Sequence, residues 1–173
     1  CIGCDPDNPD DPDPNGVSCI TIAGTTSGST VERETSSHQS YYEHDNDDAA
    51  DGDWDVTYHD NSTAHRDILV TLTILDASDQ EVESHSGRES SDDVPTLDGY
   101  RFPIGTTHVV WTVADEYGNS ESCDFYVHVV DNEDPCIGCD PDNPDNPDPN
   151  GVSCITIAGT TSGSTVERET SSH

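Results

Sequence analysis

The sequence contains no lysine, and five arginines are set against 37 acidic residues, for a formal net charge of −32. A surface of that sign repels phosphate backbones and anionic headgroups, so nucleic acid and membrane surfaces are excluded as partners and cations are favoured. Large apolar residues are scarce as well. Two Phe, two Trp and a hydrophobic content of 29% allow only a modest core, enough for a small sandwich and too little for a large enzyme fold. No apolar run approaches the roughly 20 residues of a membrane span, and no stretch keeps a helical period of useful length. Gly-x-Ser-x-Gly, His-Glu-x-x-His and the phosphate-binding loop are also missing, so the expectation is a protein that is not an enzyme.

What the chain has in abundance is repetition. The run from Cys1 to His38 returns as Cys136 to His173 at an offset of 135, and Asp11 against Asn146 is the single difference. Near-identical long repeats mark modules that stack or string together. One period predicts an Asp/Pro-rich linker over 1–16 and a β-sandwich over 17–135. The second linker then covers 136–151, and the next repeat starts over 152–173.

The linker reads CIGCDPDNPDDPDPNG. Proline at every third position fixes φ and pushes the preceding residue away from the helical region, which predicts an extended polyproline II strand. With three residues per turn, Asp7, Asp10 and Asp13 fall on one edge about 9 Å apart. Asp5, Asn8 and Asp11 form a second column. Two carboxylates about 7 Å apart repel by only about 0.6 kcal/mol in water, but a ladder of them sums. A divalent cation relieves it. Ca²⁺ takes carboxylate, amide and carbonyl oxygens in loose geometry, and this segment offers all three. The expected ligands are Asp5, Asp7, Asn8, Asp10, Asp11 and Asp13, with Asp140, Asp142, Asn143, Asp145 and Asp148 in the second copy.

Seven cysteines resolve into four per period, Cys1, Cys4, Cys19 and Cys123, plus Cys136, Cys139 and Cys154. An even number in a Ser/Thr-rich chain indicates an oxidising, extracellular setting. Cys1-Ile2-Gly3-Cys4 lacks the βαβ context of a redox site and the further ligands of a zinc site. A local disulfide, Cys1–Cys4 and likewise Cys136–Cys139, is the expectation.

Between the linkers the pattern is that of strands. Val17 to Ala23 alternates, 24–29 is a turn, and Thr30 to Glu34 reads as a short polar strand followed by a loop over 35–40. The acid-dense stretch from Glu43 to Asp55 is not an EF-hand, because Ala49 occupies a ligand position and no Glu closes the loop. A looser cation site from Asp45, Asp47, Asp51 and Asp53 is left open. Trp54, Val56 and Tyr58 alternate, Ile68 to Leu75 is a strongly apolar strand, and Glu81 to Ser84 is a weaker one before a polar loop over 86–93. Asn61-Ser62-Thr63 is an N-glycosylation sequon on a loop between strands.

Tyr100 to Pro135 is the most specific part. Val109, Trp111 and Val113 alternate on one strand, Asp115 to Asn119 turns, and Cys123, Phe125, Val127 and Val129 alternate on the next. With Phe102, Pro103, Gly105, Thr106, Thr107, Thr112, Gly118, Asp131 and Pro135 in register, this segment resembles the C-terminal half of a hyalin repeat (HYR) module. The resemblance implies an immunoglobulin-like extracellular module associated with adhesion, with Cys19 on the first strand. Cys19 then pairs with Cys123, closing a loop worth about 4–5 kcal/mol in the chain-entropy model. Pairing of Cys123 with Cys154 is the rival. The acid-rich exit from Asp131 to Pro135 is similar to cadherin inter-domain linkers, which implies Asp131 and Asp134 as further calcium ligands.

The expectation is therefore an all-β protein: an immunoglobulin-like antiparallel β-sandwich with polyproline-II-like Asp-Pro linkers. It would be a repeat subunit of an extracellular, calcium-stabilised fibre or adhesin stalk whose partners are neighbouring repeats. The alternative is an adhesive module that recognises a cell-surface glycan or protein through its loops.

Overall fold

The computed structural model describes residues 28–133. The chain divides into two units, Cys1–Asn132 and Glu133–His173, and the fold below belongs to the first.

Among the described residues seven strands form: β1 (Ser29–Glu34), β2 (Tyr41–Glu43), β3 (Leu69–Leu75), β4 (Glu81–Gly87), β5 (Arg101–Pro103), β6 (Gly105–Ala114) and β7 (Ser120–Val130). One sheet has the order β1-β7-β6-β3-β4, and β2 pairs with β5 in a second. Val70, Leu72 and Ile74 of β3, Val109 and Trp111 of β6, and Phe125 of β7 point to one side because side chains alternate along a strand. Trp54, Leu97, Tyr42 and Phe102 cover that side, completing an all-β sandwich over one core. The opposite face carries hydroxyl pairs across strands, Thr71 with Ser86 at 2.8 Å and Thr112 with Ser122 at 2.7 Å.

Two hairpins are closed by the same device. At Asp76 one carboxylate oxygen accepts from the N–H groups of Ser78 and Gln80 at 2.8 and 3.0 Å. At Asp115 one accepts from Tyr117 and Asn119 at 2.9 and 2.8 Å. Each turn then places its fourth residue in the left-handed region, Asp79 at φ 56° and Gly118 at φ 87°. Asp tolerates that region better than most side chains and Gly has no side chain to clash. A leading Asp followed four residues later by Gln or Asn is thus the local code for both turns.

The expected all-β sandwich forms, and it differs from the expectation in three details. β1 runs parallel to β7, with Val31 opposite Val127, so the sheet is mixed. No hairpin joins these two strands, so nothing forces them antiparallel. The alternating Trp54, Val56 and Tyr58 do not form a ladder strand, although Trp54 and Val56 are buried. Their backbone is claimed by nearby side chains instead: Asn46 Oδ1 accepts from Trp54 N–H at 3.2 Å, and Asp53 Oδ1 accepts from Asp55 N–H at 2.9 Å. Finally, Tyr41–Glu43 is a strand ahead of the acid-dense loop, and β4 extends to Gly87, beyond the Ser84 expected.

Candidate functional site

The acid-dense loop after β2 is held at both ends by groups far away in sequence. On one side stands Arg33 of β1. Its Nε donates to Asp51 Oδ1 at 3.2 Å, Nη2 to the Asp51 carbonyl at 3.5 Å and Nη1 to the Glu32 carbonyl at 2.9 Å. Its guanidinium also lies 5.2 Å from the Trp54 ring centroid and 5.9 Å from that of Tyr42. Trp54 Nε1 in turn donates to the Asp51 carbonyl at 2.9 Å. One cation therefore neutralises the loop's partly buried acid and caps two aromatic faces. Burial raises the Tyr42 hydroxyl well above its ordinary range, and the nearby Asp51 carboxylate adds to the rise.

Replacing Arg33 with Met keeps the aliphatic stem and removes these contacts, leaving Asp51 partly buried without its cation. A loss of about 2 kcal/mol is expected, read as a lowered urea midpoint at unchanged m-value. Arg33→Lys should recover only part of it, because an ammonium cannot reach both Asp51 oxygens while stacking on Trp54.

On the other side is a directed chain of hydrogen bonds. Asn46 Oδ1 accepts from Trp54 N–H and lies 2.6 Å from His44 Nε2, so that ring nitrogen is the donor. His44 Nδ1, 3.4 Å from the Tyr42 hydroxyl, is then the acceptor. Asn46 Nδ2 donates to Asp55 Oδ2 at 3.0 Å, the same oxygen accepts from Thr96 Oγ1 at 2.7 Å, and Asp55 Oδ1 accepts from Leu97 N–H at 2.8 Å. The donor at Nε2 and the acceptor at Nδ1 fit a neutral His44, which is fully buried and stacked on Trp54 at 3.9 Å. Burial lowers the affinity of His44 for a proton and raises that of the Asp55 carboxyl. The result pins the acid-dense loop to the segment before β5.

Beside that pinned loop a cleft of about 620 Å³ is lined by Tyr41, Glu43, His44, Asp45, Asp47 and Asp98, among others. Among the described residues no group of three or more His, Cys, Asp or Glu side chains is arranged to hold a metal ion. The open cation site from Asp45, Asp47, Asp51 and Asp53 is therefore not assembled. Asp45 Oδ1 accepts from Asp47 N–H at 2.8 Å, Asp51 faces Arg33, and Asp53 accepts from Asp55 N–H. These acids shape the loop.

Of the expected site residues, Asp131, Asn61 and Cys123 are described. Asp131 is exposed directly after β7, where Asn132 Nδ2 donates to Glu34 Oε1 at 2.9 Å and ties the exit to β1. Asn61 is exposed on its loop. Cys123 is buried and disulfide-bonded. All other cysteines, the linker acids and amides from Asp5 to Asp13 and from Asp140 to Asp148, and Asp134 lie outside the described residues. Arg33, His44, Asn46 and Asp55 carried no motif, and the one hint in the sequence was that a chain so poor in cations has few means of burying an acid.

The described residues form an all-β sandwich whose acid-dense loop is fixed by polar pins at both ends. Residues 61–129 match the HYR domain family. The match begins beyond the acid-dense loop, at Asn61, and ends within β7. The chain is also similar to the Sushi, von Willebrand factor type A, EGF and pentraxin domain-containing protein 1 of Rattus norvegicus and of Mus musculus. Each is 47% identical over 38 residues, 22% of this chain. The matched stretch spans about 1% of the length of either relative. No solved structure matches. No helix among the described residues is long and apolar enough to cross a membrane.

Proposed function

We propose that the protein is a structural repeat subunit, not a catalyst, within an extracellular fibre or adhesin stalk stiffened by calcium. The observation that carries this reading is that the HYR-bearing sandwich is flanked on both sides by nearly the same Asp-Pro segment, at an offset of 135 residues. The donor set of those segments, carboxylates and amides spaced by prolines, suits Ca²⁺ rather than a softer metal. Asp131 is exposed where β7 ends, and in this reading it takes part in one cation cluster with acids further along the chain. Its ligands there would be Asp131 and Asp134 with Asp140 and Asp142. Bound calcium would neutralise neighbouring carboxylates and so keep an extended linker stiff. Neighbouring repeats are the partners in this reading, and a Cys19–Cys123 disulfide would close each module.

Calcium titration and chelation of the full chain test it. With Ca²⁺ present, the linkers should resist protease and small-angle scattering should give a longer maximum dimension; EDTA should reverse both. No measurable calcium uptake, or dimensions and cleavage unchanged by EDTA, would overturn the reading. A second reading, an adhesive module for a glycan or protein ligand, is favoured by the cleft beside Tyr41 and Asp98. It predicts ligand capture that survives chelation.

A further inference from the structure

The loop bearing the sequon lies at one end of the sandwich, beside a cleft of about 260 Å³. Buried Ile68 and Val113, with Ala114, give it an apolar side, and Asp60, Asn119 and Glu121 give it a polar one. Its volume is close to the lower bound, roughly 300 Å³, of sites that hold small organic ligands. Asn61, the next residue after Asp60, is exposed, and no hydrogen bond engages its side-chain amide among the described residues. The loop around it is rigid. Asp60 Oδ2 accepts from the N–H groups of Ser62 and Thr63 at 3.0 and 2.7 Å and from Ser62 Oγ at 2.9 Å, which holds the Asp60 carboxyl well below its ordinary range. Thr63 is buried, and its Oγ1 is 3.5 Å from the Glu116 N–H. Tyr117, on the turn that also lines this end, is 70% exposed.

We propose that Asn61 is an N-glycosylation site and that the innermost sugar of its glycan rests in this cleft. The apolar face of a pyranose ring suits Ile68, Val113 and Ala114, while its hydroxyls suit carboxylate and amide acceptors on the rim. The exposed Tyr117 ring offers a further stacking surface for the sugars beyond. In the transfer, Asn61 Nδ2 forms a C–N bond to the anomeric carbon of a sugar carried as a lipid diphosphate. The anomeric C–O bond breaks, the lipid diphosphate leaves with the electron pair, and the amide loses one proton. Because Thr63 is buried in the folded module, the transferring enzyme reads the sequon before the sandwich closes. This inference is independent of calcium and of fibre formation.

The test is to secrete the full chain from a host whose export pathway N-glycosylates, and to map its peptides by mass. Asn61 should be occupied, and N61Q, at an exposed position whose side-chain amide makes no hydrogen bond among the described residues, should lose the added mass while folding normally. An endoglycosidase should release the glycan from the folded protein about tenfold more slowly than from the urea-unfolded protein. Ser120→Arg, an exposed substitution that fills the cleft from its rim, should keep Asn61 occupied and abolish that difference. An unmodified Asn61 overturns the proposal, and equal release from folded and unfolded protein overturns the seat in the cleft.

Discussion

Gly87→Ala should destabilise the module by about 3 kcal/mol, the upper end of ordinary overpacking, and lower its thermal midpoint by roughly 12–20 °C. Gly87 is buried at the end of β4, and a Cβ there would fall 1.3 Å from the Asp93 carbonyl oxygen and 2.4 Å from its carbon. The obstacle is backbone, so no side chain can rotate out of the way. Nor can the loop that carries Asp93 easily retreat. The Arg88 carbonyl accepts from Ser91 N–H at 3.0 Å and Ser91 Oγ at 2.9 Å, Asp92 is left-handed at φ 52°, and Arg88 Nε donates to the Asp67 carbonyl at 3.0 Å. Gly118→Ala is the control. Its Cβ would meet no heavy atom within 4 Å, so only its positive φ is penalised, by about 1–2 kcal/mol. Urea unfolding of both variants decides the matter. Equal midpoints would mean that the 88–94 loop yields and that the close approach is not structural.

Asp55→Ala should cost about 3–4 kcal/mol, because it leaves three donors, Leu97 N–H, Thr96 Oγ1 and Asn46 Nδ2, without their shared acceptor. The same network gives stability a pH dependence with a definite sign. His44 binds a proton less readily folded than at its ordinary value of 6.5. Below about pH 6.5 the unfolded chain therefore takes a proton that the folded His44 refuses, and stability falls as pH drops through that value. Asp55 acts in the opposite sense and at lower pH. Its folded carboxyl holds a proton above the ordinary 3.8, so the contribution of its protonated form is full below 3.8 and lost as pH rises past the folded value. Between pH 7.5 and 5.5 His44 contributes a fall in stability. Urea midpoints of the wild type should fall over that interval, and His44→Gln should flatten the fall while lowering the midpoint at pH 7.5. If His44→Gln leaves the slope untouched, the network is not the source.

The two pins also explain how so acidic a chain folds at all. Asp51 is held by Arg33, and Asp55 by an amide, a hydroxyl and a backbone N–H, so the two partly buried acids of the 43–55 loop are each satisfied before their neighbours add repulsion. The remaining acids of that stretch, Glu43, Asp45, Asp47, Asp48 and Asp53, lie exposed, where solvent screens them. A loop that looks like a cation site in the sequence is thereby a self-contained structural element. In the proposed function, calcium belongs to the linkers.

The sequence by itself determined whatever depends on neighbours along the chain. Alternation over β3, β6 and β7 marked their buried sides, the Asp-Glu-Tyr-Gly-Asn turn announced the last hairpin, and the motif from Phe102 to Pro135 carried the resemblance to a HYR module. These signals are local, because period-2 side-chain orientation and an Asp that accepts from the next few N–H groups need no distant partner. Only the tertiary structure decided the rest. Arg33 meets Asp51 across 18 positions, and Asp55 meets Thr96 and Leu97 across 41 and 42. β1 settles parallel against β7 with nearly the whole module between them. Such contacts form only once the core has brought the segments together, and the burial that then strengthens them also makes them specific.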